Sequence, residues 1–344
     1  KGCHEWALSA TMSSFRFQSS RTRRKYSILS HAVNSNPAVQ AMPLRLLVYV
    51  LAVVLAACVV SPPIYWLGSW LAEQGWLPFL QGFPFHRYFS RTIQISALVL
   101  LVPAFLWIGI RRLSQLGIER NGTWQRDLLL GLSVAILPVV LLGGAYIWLG
   151  VYNVRAEIDP ARFLRILATA AAVGVLEEFL FRAVLLGLCL RAMPPWAAIG
   201  INAVVFSVIH FLRVARPAGQ PDVEWWSGFE QLTRLFSSAP PWPILGWGLV
   251  SLLVAGVLLA WATWRTKSLF LAIGIHAGWV LAQQGLQWLA RYAVKPPDAL
   301  LPWVGPNVVS GAVPTGLAPL AILGLTSALV WLYLRREART RHNA

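Results

Sequence analysis

Residues 174–182 read GVLEEFLFR, two glutamates and an arginine inside a run that is otherwise apolar. The apolar character continues outward from about 163 to 190, more than the roughly 20 residues a helix needs to cross a bilayer. Seven further stretches fit the same template, near 44–64, 93–110, 128–150, 196–214, 243–264, 268–290 and 316–334. These runs are far too long for strands and lack their period-two alternation. The 344-residue chain is 57% hydrophobic and only 12% charged, with a mean hydropathy of +0.60. The fold expected is all-α, a polytopic membrane bundle of about eight transmembrane helices, with 42–344 as a single membrane domain.

The first 41 residues stand apart. They are polar and rich in Ser and Arg (Arg21, Arg23, Arg24, Lys25), and Met42 directly precedes the first apolar run. Residues 1–41 are read as a basic extension outside the fold, with a natural start at Met42 expected; the rival readings are a basic cytoplasmic arm and a targeting peptide. A net charge of +16 in a soluble chain would suggest nucleic acid. Here the basic residues flank apolar spans, which points to the membrane surface and lipid headgroups and not to nucleic acid. With the N-terminus inside and sides alternating, 18 of the 29 Lys and Arg fall on the inner side, or 12 without the first 41 residues. The localisation expected is a bacterial inner (plasma) membrane, with both termini cytoplasmic. Cys3, Cys58 and Cys189 form no disulfide framework. The lipobox-like Leu55-Ala56-Ala57-Cys58 is read as chance.

Three connections are longer than the rest. Residues 66–91 are aromatic and suit an interfacial segment; 215–242 suggest a lid or a solvated loop; 292–315 are Pro/Gly-rich and read as irregular.

The ionisable residues are unevenly placed. All four Asp lie outside the predicted spans, and of nine Glu only Glu177 and Glu178 are embedded. His210 and His276 are the embedded two of six His, and Arg182 alone among Lys and Arg is deep in a span. Each charge at a helix centre costs on the order of 2.5–3.5 kcal/mol, so three such groups point to function. Glu178 and Arg182 are four apart, on one face, in the better orientation for an ion pair. Glu177 is turned about 100° away and left to look elsewhere. A carboxylate so freed is suited to general-base work on water, and two histidines from other helices can share that water. Asn202, Phe206 and His210 form one stripe at i, i+4, i+8, with Asn202 as a supporting partner and Phe206 either packing or lining the site. His276 sits between Gly274 and Gly278, small residues that admit a close neighbour. Trp279, like most of the 18 Trp, is read as packing or interface.

The ordered set EEFLFR (177–182), FSVIH (206–210) and HAGWV (276–280) resembles the E-E-x-x-x-R, F-x-x-x-H and H-x-x-x-N/D signature of the CPBP, or ABI, family of intramembrane proteases, which includes the CAAX prenyl endopeptidases. The resemblance implies an endopeptidase acting on a membrane-associated, CAAX-like protein or peptide. Glu177 and His210 would activate a water, Glu178 and Arg182 would brace the site, and His276 would stabilise the oxyanion. No cofactor need be required; in the metal-dependent reading of the family, Glu177, His210 and His276 would instead hold a single divalent metal such as zinc, with water as fourth ligand. Val280 stands where the signature has Asn or Asp, and it can neither donate a hydrogen bond nor bind a metal. Asn202 is a candidate to replace it; Gln283 lies about 10 Å along the helix from His276 and is a poor one. Measured from a shared inner end, Glu177 and His276 are expected at different depths, about 20 and 12 Å.

Other intramembrane protease types lack their motifs here. His4-Glu5 has no second His, no Asp is embedded, and no GxSG turn is present. Two rival functions stay open: a membrane immunity or scaffold protein of the same fold with a weakened site, motivated by Val280, and a proton-coupled transporter using Glu177 and the two His as a relay.

Overall fold

The computed structural model describes residues 42–119, 122–211, 222–237, 242–293, 300, 303–304 and 316–343. The N-terminal extension and most of 292–315 lie outside them. In chain order the helices are α1 (Met42–Glu73), α2 (Phe85–Ile108), α3 (Trp124–Trp148), α4 (Pro160–Glu178), a π-helical segment (Phe179–Leu186) that runs into α5 (Gly187–Ala192), α6 (Pro195–Ile209), α7 (Ser227–Ser237), α8 (Trp242–Thr266), α9 (Phe270–Leu289) and α10 (Leu317–Asn343). The protein is an all-α helical bundle and an integral, multi-pass membrane protein. Five helices, α1, α2, α3, α8 and α10, are long and apolar enough by themselves to cross a membrane. The other three predicted spans correspond to α4 with its π continuation, to α6 and to α9.

The predicted ends shift where hydropathy alone was the guide. Helix α1 runs nine residues past 64, through Pro62 and Pro63, because prolines are tolerated in membrane helices. The 66–91 segment is thus mostly the end of α1 and the start of α2, joined by a short 3-10 turn at Pro78–Leu80. Within 215–242 lies α7, packed on α1: Gly228 sits so close to the Cys58 backbone that no Cβ would fit, and the Trp66 indole donates to the Val223 carbonyl. Of this segment, 222–237 and 242 are described, and they include a docked helix; 215–221 and 238–241 lie outside the described residues.

The centre of the bundle is the pair α3 and α9. Gly131 lies against Leu271–Ile275, Gly278 against Leu132 and Ala135, and Gly143 against Leu286. The offset is constant, so the two helices run parallel in register, and small residues let their backbones approach. At their common end a two-stranded antiparallel clasp, β1 (Tyr152–Val154) with β2 (Ala290–Tyr292), ties the chain leaving α3 to the chain leaving α9. No apolar alternation announced it. Burial pushes the Tyr152 and Tyr292 hydroxyls above their ordinary titration range, so both stay neutral. Helix α4 starts beyond the clasp because Asp159 caps it, accepting from the Ala161 amide, with Pro160 in the first turn. It then crosses back along α9, with Gly174 on Ala277. Helices α6 and α8 pack on each other, and Phe206, Leu252, Leu259, Leu271, Ile275 and Val330 share one buried cluster joining α6, α8, α9 and α10.

Candidate active site

The opening motif sits at a change of helix type. Glu178 ends α4, and the next turns are π-helical, a local widening that recurs at functional sites. Even so, Glu178 and Arg182 form the expected ion pair: Arg182 Nη1 donates to Glu178 Oε1 at 2.9 Å, with both side chains fully buried. The Arg182 guanidinium lies over the Phe206 ring, 4.3 Å from its centroid, and 5.7 Å from that of Phe181. The Asn202 amide donates to the Phe181 carbonyl inside the π segment at 2.7 Å. Asn202 therefore fastens α6 to the widened turn, and that donor is spent on backbone.

Glu178 Oε1 also accepts from His276 Nδ1, at 2.7 Å, across 98 residues of sequence. This contact removes the expected mismatch in depth. The path from Glu178 to the end of α5 runs through the eight-residue π segment, which the expectation counted at the ordinary α-helical rise. Fewer ångströms of rise per residue in the wider turns shorten that path. A carboxylate braced by arginine thus fixes the His276 ring and sends Nε2 toward Glu177.

His210 comes from a different place than expected. Helix α6 ends at Ile209, so His210 is its C-cap and not part of a span reaching 214. Its Nδ1 lies 2.7 Å from the Phe206 carbonyl, which can only accept. Nδ1 therefore carries a proton and donates, and Nε2 faces the site. Glu177 Oε2 stands 3.5 Å from His210 Nε2 and 3.9 Å from His276 Nε2. That oxygen is buried and makes no hydrogen bond among the described residues. The Phe206 ring holds the group together, with its centroid 4.4 Å from that of His210, 5.9 Å from that of His276 and 5.2 Å from that of Phe181. It packs and it lines the site.

Glu177, His210, His276 and Phe206 open on a cavity of about 270 Å³. Its walls come from α3 (Val139, Leu142, Tyr146), α8 (Ser251, Leu252, Ala255, Leu259), α9 (Trp279, Val280, Gln283, Leu286) and α10 (Pro319, Ile322, Leu323). The motifs pointed to none of the α3, α8 and α10 residues. Their signal is the i, i+3, i+4 stripe on each helix, which no single sequence separates from core packing. Leu142, Tyr146 and Leu286 also belong to the cluster under the clasp, which floors the cavity at that end. Gln283 lines the cavity despite its distance along α9, because the cavity is elongated.

Among the described residues, no three of His, Cys, Asp and Glu are gathered as a metal-holding set. Each imidazole commits Nδ1 to a protein acceptor and turns Nε2 toward Glu177, an orientation that a histidine ligand of a metal also takes. Glu177, His210 and His276 are thus the residues that would hold a divalent metal in the metal-dependent reading, where it would polarise the attacking water. The arrangement suits an acid and an imidazole polarising one water in apolar surroundings, where such electrostatics are strongest.

No curated protein and no solved structure matches the chain. Residues 159–282, which carry all three motifs, match the family model described as "Type II CAAX prenyl endopeptidase Rce1-like", and this is the family that the motifs resemble.

Proposed function

We propose that the protein is an intramembrane endopeptidase that hydrolyses a peptide bond of a membrane-associated, CAAX-like protein or peptide by water activation at Glu177 and His210. The observation that carries this reading is the placement of Glu177 Oε2 between His210 Nε2 and His276 Nε2, at 3.5 and 3.9 Å, on the wall of an otherwise apolar cavity. Two acceptors at that distance are held together by a water that donates to both. Glu177 takes the proton as the water oxygen attacks the scissile carbonyl carbon. The carbonyl π pair moves to oxygen, giving a tetrahedral oxyanion. Collapse of the oxyanion breaks the C–N bond, and the proton from Glu177 passes to the departing amine. His276, its Nδ1–H held by Glu178, turns an acceptor Nε2 toward the same water and helps to orient it, while Arg182 neutralises the carboxylate that pins the ring. Apolar walls from four helices favour a substrate whose residues beside the scissile bond are apolar.

The test is cleavage of a fluorescent farnesylated CAAX-type peptide, and of its non-prenylated twin, by the full chain in lipid nanodiscs. Cleavage abolished by Glu177→Ala or His210→Ala, with membrane insertion intact, is the expected result. Activity surviving in both variants overturns it.

One observation favours a second reading. Val280 lines the cavity where the motif's Asn or Asp belongs, which suits an immunity or scaffold protein with a weakened site. Creation of activity by Val280→Asn in an inert wild-type chain supports that reading; cleavage by the wild-type chain rules it out.

A further inference from the structure

The site as described is short of hydrogen-bond donors for an oxyanion. Position 280 is valine, the Asn202 amide is spent on the Phe181 carbonyl, and the His276 Nδ1 proton is engaged by Glu178. Of the other polar residues that line the cavity, Gln283 and Gln284 lie farther along α9 and Tyr146 lies toward the clasp, which leaves two beside the acid and imidazoles. Ser251 lies on α8 and Trp279 on α9, and both line the space that Glu177, His210 and His276 share. Ser251 Oγ and Trp279 Nε1 are buried, and neither has a hydrogen-bond partner among the described residues.

A buried donor without a partner is costly and rare in a folded protein, so each calls for an occupant that accepts. For Ser251 there is an internal contrast. Ser90, Ser133 and Ser327 all turn their hydroxyls back onto the carbonyl four residues earlier, the usual resting place of a helical serine. Ser251 does not. The indole N–H is a donor only, which matches an anionic oxygen and nothing that donates.

Position supports the same assignment. Gly256 of α8 packs on Ala203 of α6, and Ser207 Oγ donates to the Leu249 carbonyl, so the two helices run antiparallel. Counting from these two contacts brings Ser251 level with residues 205 to 208, about 3 to 8 Å along the axis from His210. Trp279 follows His276 by three residues, about 4.5 Å along α9 and on the same side, next to Val280. The two donors flank the acid and imidazoles from separate walls.

We infer that Ser251 Oγ–H and Trp279 Nε1–H bind the scissile carbonyl oxygen and the oxyanion formed from it, taking over what Asn or Asp supplies at position 280. The inference rests on the proteolytic reading above. No bond beyond those of the hydrolysis is made or broken; the two groups donate hydrogen bonds that shorten as negative charge gathers on the oxygen.

The experiment uses the full chain in nanodiscs with two probes: the farnesylated peptide as substrate, and a peptide phosphinate, whose tetrahedral anionic phosphorus imitates the intermediate, as ligand. Ser251→Ala and Trp279→Phe, which keeps the ring and removes the N–H, are each expected to lower kcat about tenfold to a hundredfold, with KM within threefold. Phosphinate affinity falls by a like factor, while affinity for the intact peptide, measured in the Glu177→Gln background, stays unchanged. A packing role alone would weaken both ligands together and lower thermal stability. Adding Val280→Asn to the double variant is expected to recover phosphinate binding. Wild-type kcat and phosphinate affinity in the double variant overturn the assignment, as does a wild-type chain that does not bind the phosphinate. The two failures are distinguishable. Cleavage that survives Glu177→Gln sinks the proposed function, whereas cleavage lost in Glu177→Gln but untouched at 251 and 279 sinks only the donors.

Discussion

Among the described residues, five helices qualify as membrane spans on length and composition, and three segments that equally belong to the bundle do not. The five, α1, α2, α3, α8 and α10, carry none of the motif residues. The three that fall short are those that hold the site. Helix α4 changes type at Glu178, α6 stops after 15 residues so that His210 becomes its cap, and α9 gives up apolar positions to His276, Gln283, Gln284 and Gln287. Polarity that makes a poor lipid-facing helix is acceptable only where other helices cover it. The apolar five thus supply most of the cavity walls and, from α8, the proposed Ser251 donor, while the irregular three supply the acid and the imidazoles.

The division predicts where substitution hurts. The largest effect belongs to the acid. Glu177→Gln preserves shape and removes the base, and a loss of about 10² to 10⁴ in kcat is expected in the peptide assay, with insertion and thermal stability close to wild type. Retained turnover would mean that the irregular helices carry polarity for some other reason.

The next effect concerns stability. The Glu178–Arg182 pair is fully buried, and Arg182→Met leaves a carboxylate inside the bundle with only His276 to answer it. Breaking such a pair costs about 3–5 kcal/mol. The matched surface pair, Arg165 with Asp159 at 3.3 Å, is exposed, and its loss costs about 0–1 kcal/mol. Thermal unfolding in detergent should therefore separate Arg182→Met from Arg165→Met by many degrees. The double variant Glu178→Gln/Arg182→Met should recover part of the loss, since the orphaned charge is gone. Equal midpoints for the two single variants would erase the distinction between the buried motif and the exposed start of the same helix.

Much of this division was legible in the chain, and the illegible parts have identifiable physics. Embedding five ionisable groups in apolar runs is expensive, so Glu177, Glu178, Arg182, His210 and His276 announced themselves by cost alone. The Glu178–Arg182 pair followed from helical spacing. Depth was misjudged because axial arithmetic assumes a uniform rise, and the π segment breaks that assumption. Asn202 lay on the right stripe, yet its amide goes to a backbone carbonyl, a choice set by the widened turn opposite it. Ser251 and the α3 wall left no trace, because a residue facing a cavity and one facing a neighbouring helix have the same periodicity. The clasp was invisible for a simpler reason: three residues per strand carry no pattern.

A smaller effect probes the seam on which the site is mounted. Gly274 and Gly131 touch backbone to backbone about half a turn before His276, and a Cβ on either would meet the other helix. Gly274→Ala is expected to push α9 off α3, costing about 1–3 kcal/mol and moving His276 relative to Glu177. Since a displacement of about 1 Å in a catalytic group can cost 10² in rate, activity should fall further than stability does. Proportional losses would show that the site tolerates movement of its mounting.

The smallest effect expected is on the outer face of the same helix. Leu137 and Leu141 of α3 are more than half exposed, at 61% and 64%, and point away from α9 into the apolar surroundings of the bundle. Each only two residues along α3 from the cavity-lining Val139, they share every feature of its sequence environment except direction. Leu141→Ala opens no cavity, because lipid fills the space as readily as another side chain would. Its cost should stay within about 0.5 kcal/mol, with kcat and KM unchanged. Val139→Ala, by contrast, should enlarge the cavity wall and shift the preference among substrate peptides of different side-chain size. If the two substitutions behave alike, the cavity is not where substrate binds, and the apolar shell is only a shell.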